Sequence, residues 1–484
     1  MTGIGLNMYD RMQTYTKEEL NKIHHASMDI LGNTGIAFNE SESVEIFGKN
    51  GFRIDGSIVF FREKDIFRAL ETTPSRFRVT ARNPKRNVHI GENDWVFVST
   101  YGAPFICSIT GEKRAATMED YDNICKLVQT SKFVDMNGFK HVQPSDVPSQ
   151  TAYLDMLFSN MTLCDKPYMG SSDSRQAARD CIEMAAILFG GKERLEEMPV
   201  MVSLINSLSP LQYSEEMAGS IIEMARCHQP LVIANMIMAG VSGPLRLPGL
   251  LALMNAEILA GITLAQLVGP GTPIIYGTTS CPTNMRTITP CVGSPETTMI
   301  ASAASQLARY YKLPCRSGGS LTDSLVPDGQ AMAEGSLVLA TSVRNGAHFI
   351  LHACGMIGAY IGTNLEKWLM DEELCGIIRR MLTPVEITED NIDVEAIKAV
   401  GIGGTYLMQP ETLKHCRTEF FLNELFSKLD HNTWSREGSK RVEVYAADLL
   451  LKRLSAYEKP DIDPAVEADL ARFVTQRRNK GKPY

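Results

Sequence analysis

LLALMNAEILAGITLAQLVGPGTPIIYGT, residues 250–278, is the stretch from which the fold can be read. Its first part, Leu250–Leu267, is apolar apart from Asn255, Glu257 and Gln266 and is too long for a strand, so it predicts a buried helix. A membrane span needs about 20 largely apolar residues with few polar interruptions, and these three argue against one. Gly269-Pro-Gly271 punctuates the run, and Pro273–Thr278 then reads as a short strand buried on both faces. A helix, a tight turn and a doubly buried strand form the unit of a parallel sheet covered by helices.

The same alternation extends outward in both directions. Short apolar runs near Gly, Pro or a polar residue predict strands at Phe133–Gly138, Pro167–Ser171, Val200–Asn206, Leu231–Met238, Leu313–Ser317, His348–Ala353 and Gly404–Met408. Helix-length segments lie between them, among them Ser174–Phe189, Glu215–His228, Glu296–Tyr311 and Gln330–Arg344. With Pro273–Thr278 this makes eight strands, the content of a (β/α)8 TIM barrel with right-handed crossovers. The expected architecture is α/β: an N-terminal α+β region over residues 1–115, the barrel over 116–410 and a helical region over 411–484. The capping boxes Thr16–Glu19 and Thr117–Asp120 are expected to open helices.

Composition narrows the function. The 484 residues carry a net charge of −8, which argues against a nucleic-acid protein. Eleven cysteines occur without a CxxC, which suits a reduced protein. The N-terminus shows no secretory pattern, so no membrane association and a cytoplasmic location are expected. Among the histidines, only His348 and His352 form a pair at i, i+4, with no third ligand near in sequence, so no metal site is expected. Gly401-Ile-Gly-Gly404 precedes a strand candidate, the wrong end for a phosphate loop, and reads as a turn.

A barrel works at the C-terminal ends of its strands, which nominates Lys140, His141, Ser171, Ser172, Asn206, Ser207, Asn235, Tyr276, Thr278, Arg316, His352 and Gln409. The loop LPCRSGGSLTDSLVPDGQ, residues 313–330, carries Arg316, Asp323 and Asp328. Arg316 has the fork that binds a carboxylate through two nitrogens. Tyr101, Phe105, Tyr276, Tyr360 and Trp368 flank candidate loops, and as a set could cage an alkylated ammonium at about 0.5–2 kcal/mol per contact.

Several blocks carry a family resemblance: NAEILAG at 255–261, LAQLVGPGTPIIYG at 264–277 and GSPETTMIASAASQLARYYKLPCRSGG at 293–319. To these add LTDSLVPDGQAMAEG at 321–335, FILHACG at 349–355, WLMDEELCG at 368–376 and ETLKHCRTEF at 411–420. Together they resemble the trimethylamine methyltransferase family of corrinoid-dependent methylamine metabolism. The resemblance implies transfer of a methyl group from an amine to Co(I) of a corrinoid (cobalamin) carried by a separate protein. No DxHxxG corrinoid motif occurs in this chain.

Pyrrolysine, which the methanogen trimethylamine enzymes carry in the barrel, is absent. The chain therefore resembles the branch acting on quaternary amines, glycine betaine first, or proline betaine or carnitine. On this reading Tyr101, Tyr276 and Tyr360 line the cation pocket. Arg316 with His348 or His352 holds the carboxylate, and the chain forms a homo-oligomer. A quaternary ammonium leaves as a neutral amine, so no general acid is required. Two other readings stay open: a metal-dependent barrel hydrolase or lyase using His352 with Asp323 or Asp328, and a betaine-binding barrel without catalysis.

Overall fold

The computed structural model describes residues 11–479. Its centre is a ring of parallel strands: β1 (Val96–Phe97), β2 (Tyr168–Gly170), β3 (Met201–Asn206), β4 (Leu231–Ala234), β5 (Ile274–Gly277), β6 (Cys315–Gly318) and β7 (Phe349–Leu351). Consecutive strands β2 to β7 pair side by side, and β7 pairs with β1 through Phe349↔Val96 and Ile350↔Phe97. Residues 134–137 close the ring. Asp135 N–H donates to the Phe97 carbonyl at 2.9 Å on one side, and Asn137 N–H donates to the Pro167 carbonyl at 2.8 Å on the other. The result is an eight-membered (β/α)8 barrel.

Eight helices cover it: α1 (Met118–Thr130), α2 (Ala152–Leu163), α3 (Arg175–Phe189), α4 (Glu215–Arg226), α5 (Leu247–Val268), α6 (Pro295–Tyr310), α7 (Gly329–Arg344) and α8 (Leu365–Leu382). Thr117 and Asp120 form the capping box that starts α1. α5 is long and apolar enough to cross a membrane, yet 89% of its most apolar window is buried inside the protein. It lies between the sheet and the N-terminal helices Lys17–Asp29 and Glu63–Thr72, so its apolarity follows from having neighbours on all sides.

One strand expectation needs correction. Gly404–Met408 lies in turns, with Leu407 75% and Met408 76% exposed. Its place in the ring is filled by β1, which comes from the stretch expected to precede the barrel. An apolar run of this length is the mark of a buried strand, but here its side chains are exposed.

The N-terminal region packs outside. Ile36–Phe38 pairs antiparallel with Ile58–Phe60 and parallel with Gln212–Tyr213, a strand in the loop after β3. Thr16 and Glu19 form the capping box of helix Lys17–Asp29. Beyond the barrel, helix Val442–Ser455 packs on α8, and Pro464–Asn479 packs on α2 and α3.

Side-chain parity decides what faces the barrel interior. Cys315 Sγ lies 3.6 Å from Ser305 Oγ on α6, and Ser317 Oγ lies 2.9 Å from Ser342 Oγ on α7. Those two residues of β6 face the helices, so Arg316 and Gly318 face inward. Partners in a parallel ladder share a face: Gly277 pairs with Arg316, while Tyr276 pairs with Cys315.

Candidate functional site

Arg316 enters the barrel from β6 and rises toward its C-terminal mouth. It is 1% exposed. One terminal nitrogen donates to the Thr278 carbonyl, just past β5, at 2.7 Å. The other donates to His352 Nδ1, just past β7, at 3.2 Å. A guanidinium has five N–H groups, so three remain without a protein partner among the described residues, including the buried Nε. No carboxylate pairs with it among those residues. Burial pushes its pKa down to about 10, with Tyr360 and Cys315 opposing.

His352 is fixed from both sides. Nδ1 accepts from Arg316 and Nε2 lies 3.1 Å from the Tyr101 carbonyl, to which it donates. This is the neutral imidazole with its proton on Nε2. Burial first, and the Arg316 charge second, hold its pKa well below the ordinary histidine value. Its backbone has φ 62°, and Ala359 and Tyr360 also have positive φ, at 51° and 74°. For non-glycine residues this left-handed region costs about 1–2 kcal/mol each. The turn at His352 leaves the strand alternation and aims the ring across the mouth. Gly319 passes so close that a Cβ there would lie 2.4 Å from the His352 carbonyl.

The Tyr360 ring sits 5.1 Å from the His352 ring. Its hydroxyl is buried without a hydrogen-bond partner among the described residues, and burial raises its pKa despite the nearby Arg316 charge. The Tyr101 hydroxyl lies beside Ser172 and Asp173, and burial raises its pKa too. Arg316, His352, Tyr360 and Tyr101 are thus one constellation at the mouth: a cation, a neutral imidazole and two protonated phenols.

The other candidates stand elsewhere. Tyr276 is fully buried on the helix-facing side, where its hydroxyl donates to Asn255 Oδ1 on α5 at 3.0 Å. His348 lies at the N-terminal end of β7. Its Nδ1 accepts from Cys315 N–H at 3.0 Å and its Nε2 donates to the Glu92 carbonyl at 3.1 Å, and burial lowers its pKa to about 4. Trp368 is buried in α8 and donates to Ser99 Oγ at 3.1 Å. Phe105 lies under Lys113 Nζ, 4.3 Å from its ring centroid. Gln409 is in the segment beyond the barrel, at the N-cap of helix Pro410–His415.

Asp323 accepts from Val292 N–H at 2.7 Å and Gly293 N–H at 3.2 Å, and Asp328 caps α7. Both His352 nitrogens are also engaged, and His352 does not group with Asp323 or Asp328 in a ligand cluster among the described residues. One group among the described residues brings three possible metal-ligating atoms together: His24, His25 and Glu63, in the N-terminal region.

Two braces hold the mouth, and neither was among the sequence candidates as a functional group. Lys367 and Asp371 on α8 form a fully buried ion pair at 2.7 Å. Asp371 also accepts from Ser320 Oγ and Gly355 N–H, both at 2.7 Å. It therefore ties the loop after β6 to the loop after β7, the loops that follow Arg316 and His352. Glu257 on α5 accepts from Ser207 Oγ at 2.6 Å, Ser209 Oγ at 2.7 Å, Leu211 N–H at 2.8 Å and Asn235 Nδ2 at 3.1 Å. That fixes the loop after β3. An acidic residue inside an apolar helix is the signal that could have found Glu257; Lys367 and Asp371 lie in a helix rich in charge, which gives no such signal.

Chemically, this arrangement can hold a small anion against Arg316 and present aromatic faces beside it. None of its four groups is poised to exchange a proton near neutral pH. Such a mouth on a (β/α)8 barrel suits the binding and orientation of a small anionic substrate. The chain matches the family described as Trimethylamine methyltransferase (MTTB) over residues 4–482, and it belongs to that family of methyltransferases.

Among curated relatives, it is 39% identical to the glycine betaine methyltransferase of Desulfitobacterium hafniense (strain Y51), covering 96% of each chain. It is 31% identical to the proline betaine:corrinoid methyltransferase of Eubacterium limosum, covering 98% of this chain and 99% of that one. Identity to the trimethylamine methyltransferase MttB of Methanosarcina thermophila is 28%, with 97% of each covered. The monomethylamine methyltransferase MtmB of Methanosarcina barkeri shares the fold, with a TM-score of 0.53 at 12% identity over 94% of this chain and 91% of that one.

Proposed function

We propose that the chain demethylates a small betaine, glycine betaine first, and passes the methyl group to Co(I) of a corrinoid held by a separate protein. The observation that carries this reading is Arg316: a buried cation with three unpartnered N–H groups and no carboxylate of its own. A substrate carboxylate would complete it. The quaternary ammonium, one short linker away, would then lie against the Tyr360 and Tyr101 rings. The C–N bond breaks with its electron pair staying on nitrogen, and the methyl carbon bonds to cobalt, whose Co(I) electron pair supplies that bond. The amine departs neutral, which accords with a mouth that has no proton donor near pH 7.

The greater identity to the glycine betaine and proline betaine enzymes than to the trimethylamine enzyme supports a quaternary substrate. A cytoplasmic location is part of the proposal, supported by the eleven free cysteines. The protein's task is alignment and exclusion of water.

The test is anaerobic mixing with cob(I)alamin and, separately, glycine betaine, proline betaine, carnitine and trimethylamine. Loss of the Co(I) absorption band with a quaternary amine, and not with trimethylamine, is the expected result. Turnover of trimethylamine alone overturns the substrate assignment. Tight betaine binding with no methyl transfer identifies a binding barrel instead.

A further inference from the structure

The end of the barrel opposite the mouth holds a group of cations that the mouth does not use. Trp95, Lys132 and Lys166 precede β1, residue 134 and β2, and with Lys85, Arg86 and Arg379 they line a cleft of about 200 Å³. At ~30 Å³ per water, that is room for about six waters.

The charges of this cleft do not balance. Its two acids are already paired, Asp94 with Arg76 and Asp135 with Arg379. Arg86 is paired with Asp165. Lys85, Lys132 and Lys166 make no ion pair among the described residues.

Lys166 is the most telling of the three, because it is 4% exposed. Burying an ammonium without a counter-ion is costly. Its Nζ donates to the Ser131 carbonyl at 2.8 Å and to the Val134 carbonyl at 2.6 Å. An ammonium has three N–H groups, so one is left without a protein partner among the described residues. The acids that act on it, Asp135 and Glu372, are engaged by Arg379 and Arg453. Two further donors of the lining residues, Trp95 Nε1 and Arg379 Nε, are buried without a partner among the described residues. The Arg379 guanidinium lies 4.7 Å over the Trp95 ring, which holds it in place.

The cleft also adjoins the seam of the barrel. The carbonyls of Ser131 and Val134 hold Lys166, and that of Phe133 accepts from Arg379 at 3.3 Å. All three belong to the segment that leads into residues 134–137, which close the ring.

We propose that this cleft binds a diphosphate group, free or as part of a nucleotide, with Lys85, Lys132 and Lys166 as its counter-charges. Three ammoniums without a counter-ion suit a multiply charged anion, and a betaine, whose charges cancel, gains little from them. Charge-assisted N–H donors suit phosphoryl oxygens. The ligand would join the seam to the turn at Lys85 and to α8, so its binding adds to the stability of the folded chain. The site is separate from Arg316 and does not depend on which methyl donor is used.

Isothermal titration of the full chain with pyrophosphate, at fixed ionic strength, should show one site per chain. Lys85 and Lys132 are exposed, so Lys85→Gln with Lys132→Gln should leave the fold intact and weaken binding about tenfold. Saturating pyrophosphate should raise the urea midpoint of the wild type and raise that of this variant less. Arg316→Met should leave pyrophosphate binding unchanged. Titration with ADP distinguishes the sources: binding of pyrophosphate alone assigns free diphosphate, and tighter binding of ADP assigns a nucleotide. A wild type that binds neither overturns the proposal. So does pyrophosphate binding that the lysine variant retains in full, or that Arg316→Met removes.

Discussion

Replacing Arg316 by methionine separates a residue kept for a ligand from one kept for the fold. Burial lowers the guanidinium pKa to about 10, a drop of at least ~2.5 pH units, or about 3 kcal/mol at 1.36 kcal/mol per unit. The sign is unfavourable to folding. At neutral pH the group is charged in both states, the desolvation cost is fully present, and it fades only as pH rises above about 10. Methionine removes that cost at similar volume. It also removes the bonds to the Thr278 carbonyl and His352 Nδ1, each worth about 1 kcal/mol. The balance is a gain of roughly 1 kcal/mol in stability, read as a higher urea midpoint. Affinity for glycine betaine, measured by titration calorimetry, should fall by about 2–5 kcal/mol, the cost of truncating a desolvated charge pair. If Arg316→Met instead unfolds the protein by 3 kcal/mol or more while betaine affinity changes by less than about threefold, Arg316 is a structural cation and the reasoning fails.

Asp371→Asn should cost about 3–5 kcal/mol in urea unfolding because it strands the buried Lys367 charge; Lys367→Met with Asp371→Leu should recover most of it, and a mild effect of the single change would refute the brace. Tyr276→Phe should cost about 1 kcal/mol of stability and leave betaine affinity unchanged, while Tyr360→Leu, which removes the ring, should weaken betaine binding by about 0.5–2 kcal/mol; an unchanged affinity would remove Tyr360 from the pocket. Burial holds His141 at about 3, His348 at about 4 and His352 well below the ordinary value. The unfolded chain takes up those protons near pH 6.5 and the native state does not, so stability should fall as pH drops from 6.5 toward 4, by up to about 1.4 kcal/mol per pH unit for each histidine. A urea midpoint that stays level between pH 6.5 and 5 would contradict this, and His348→Gln should flatten the slope.

The parts of the fold that were legible were those whose signal is local. α5 and β5 could be read from one stretch because length separates a buried helix from a buried strand. The Thr16–Glu19 and Thr117–Asp120 capping boxes formed as expected. β1 lies in a strand-like run, Trp95–Ile109, that reads as part of the N-terminal region because no helix–strand alternation surrounds it, and Gly404–Met408 took its place in the count. Composition cannot tell apolar residues that face a core from those on an exposed arm.

The site was legible where the rule about strand ends was enough, as at Arg316 and His352. It was not where ladder register decides: Tyr276 lies beside Cys315 and not beside Arg316, a one-residue offset that turns its ring to the helices. Nothing in a single sequence sets that offset. The Lys367–Asp371 brace was equally hidden, because the two residues at i, i+4 look like an ordinary surface pair until the helix is known to be buried.

The energetics of the mouth form a consistent asymmetry. His352, Ala359 and Tyr360 sit in the left-handed region, Tyr360 and Arg316 Nε leave polar atoms unsatisfied, and Arg316 is a buried charge without a counter-ion. Each is unfavourable on its own, and persists because the surroundings over-determine it. Those surroundings are identifiable: Asp371 on Gly355 and Ser320, Trp368 on Ser99, and Glu257 on the loop after β3. All three contacts reach the mouth from the helical layer, where packing is dense. Cost is therefore concentrated on the side that meets substrate and compensation on the side that does not. On the proposed function, a substrate carboxylate set against Arg316 would relieve the largest of these costs.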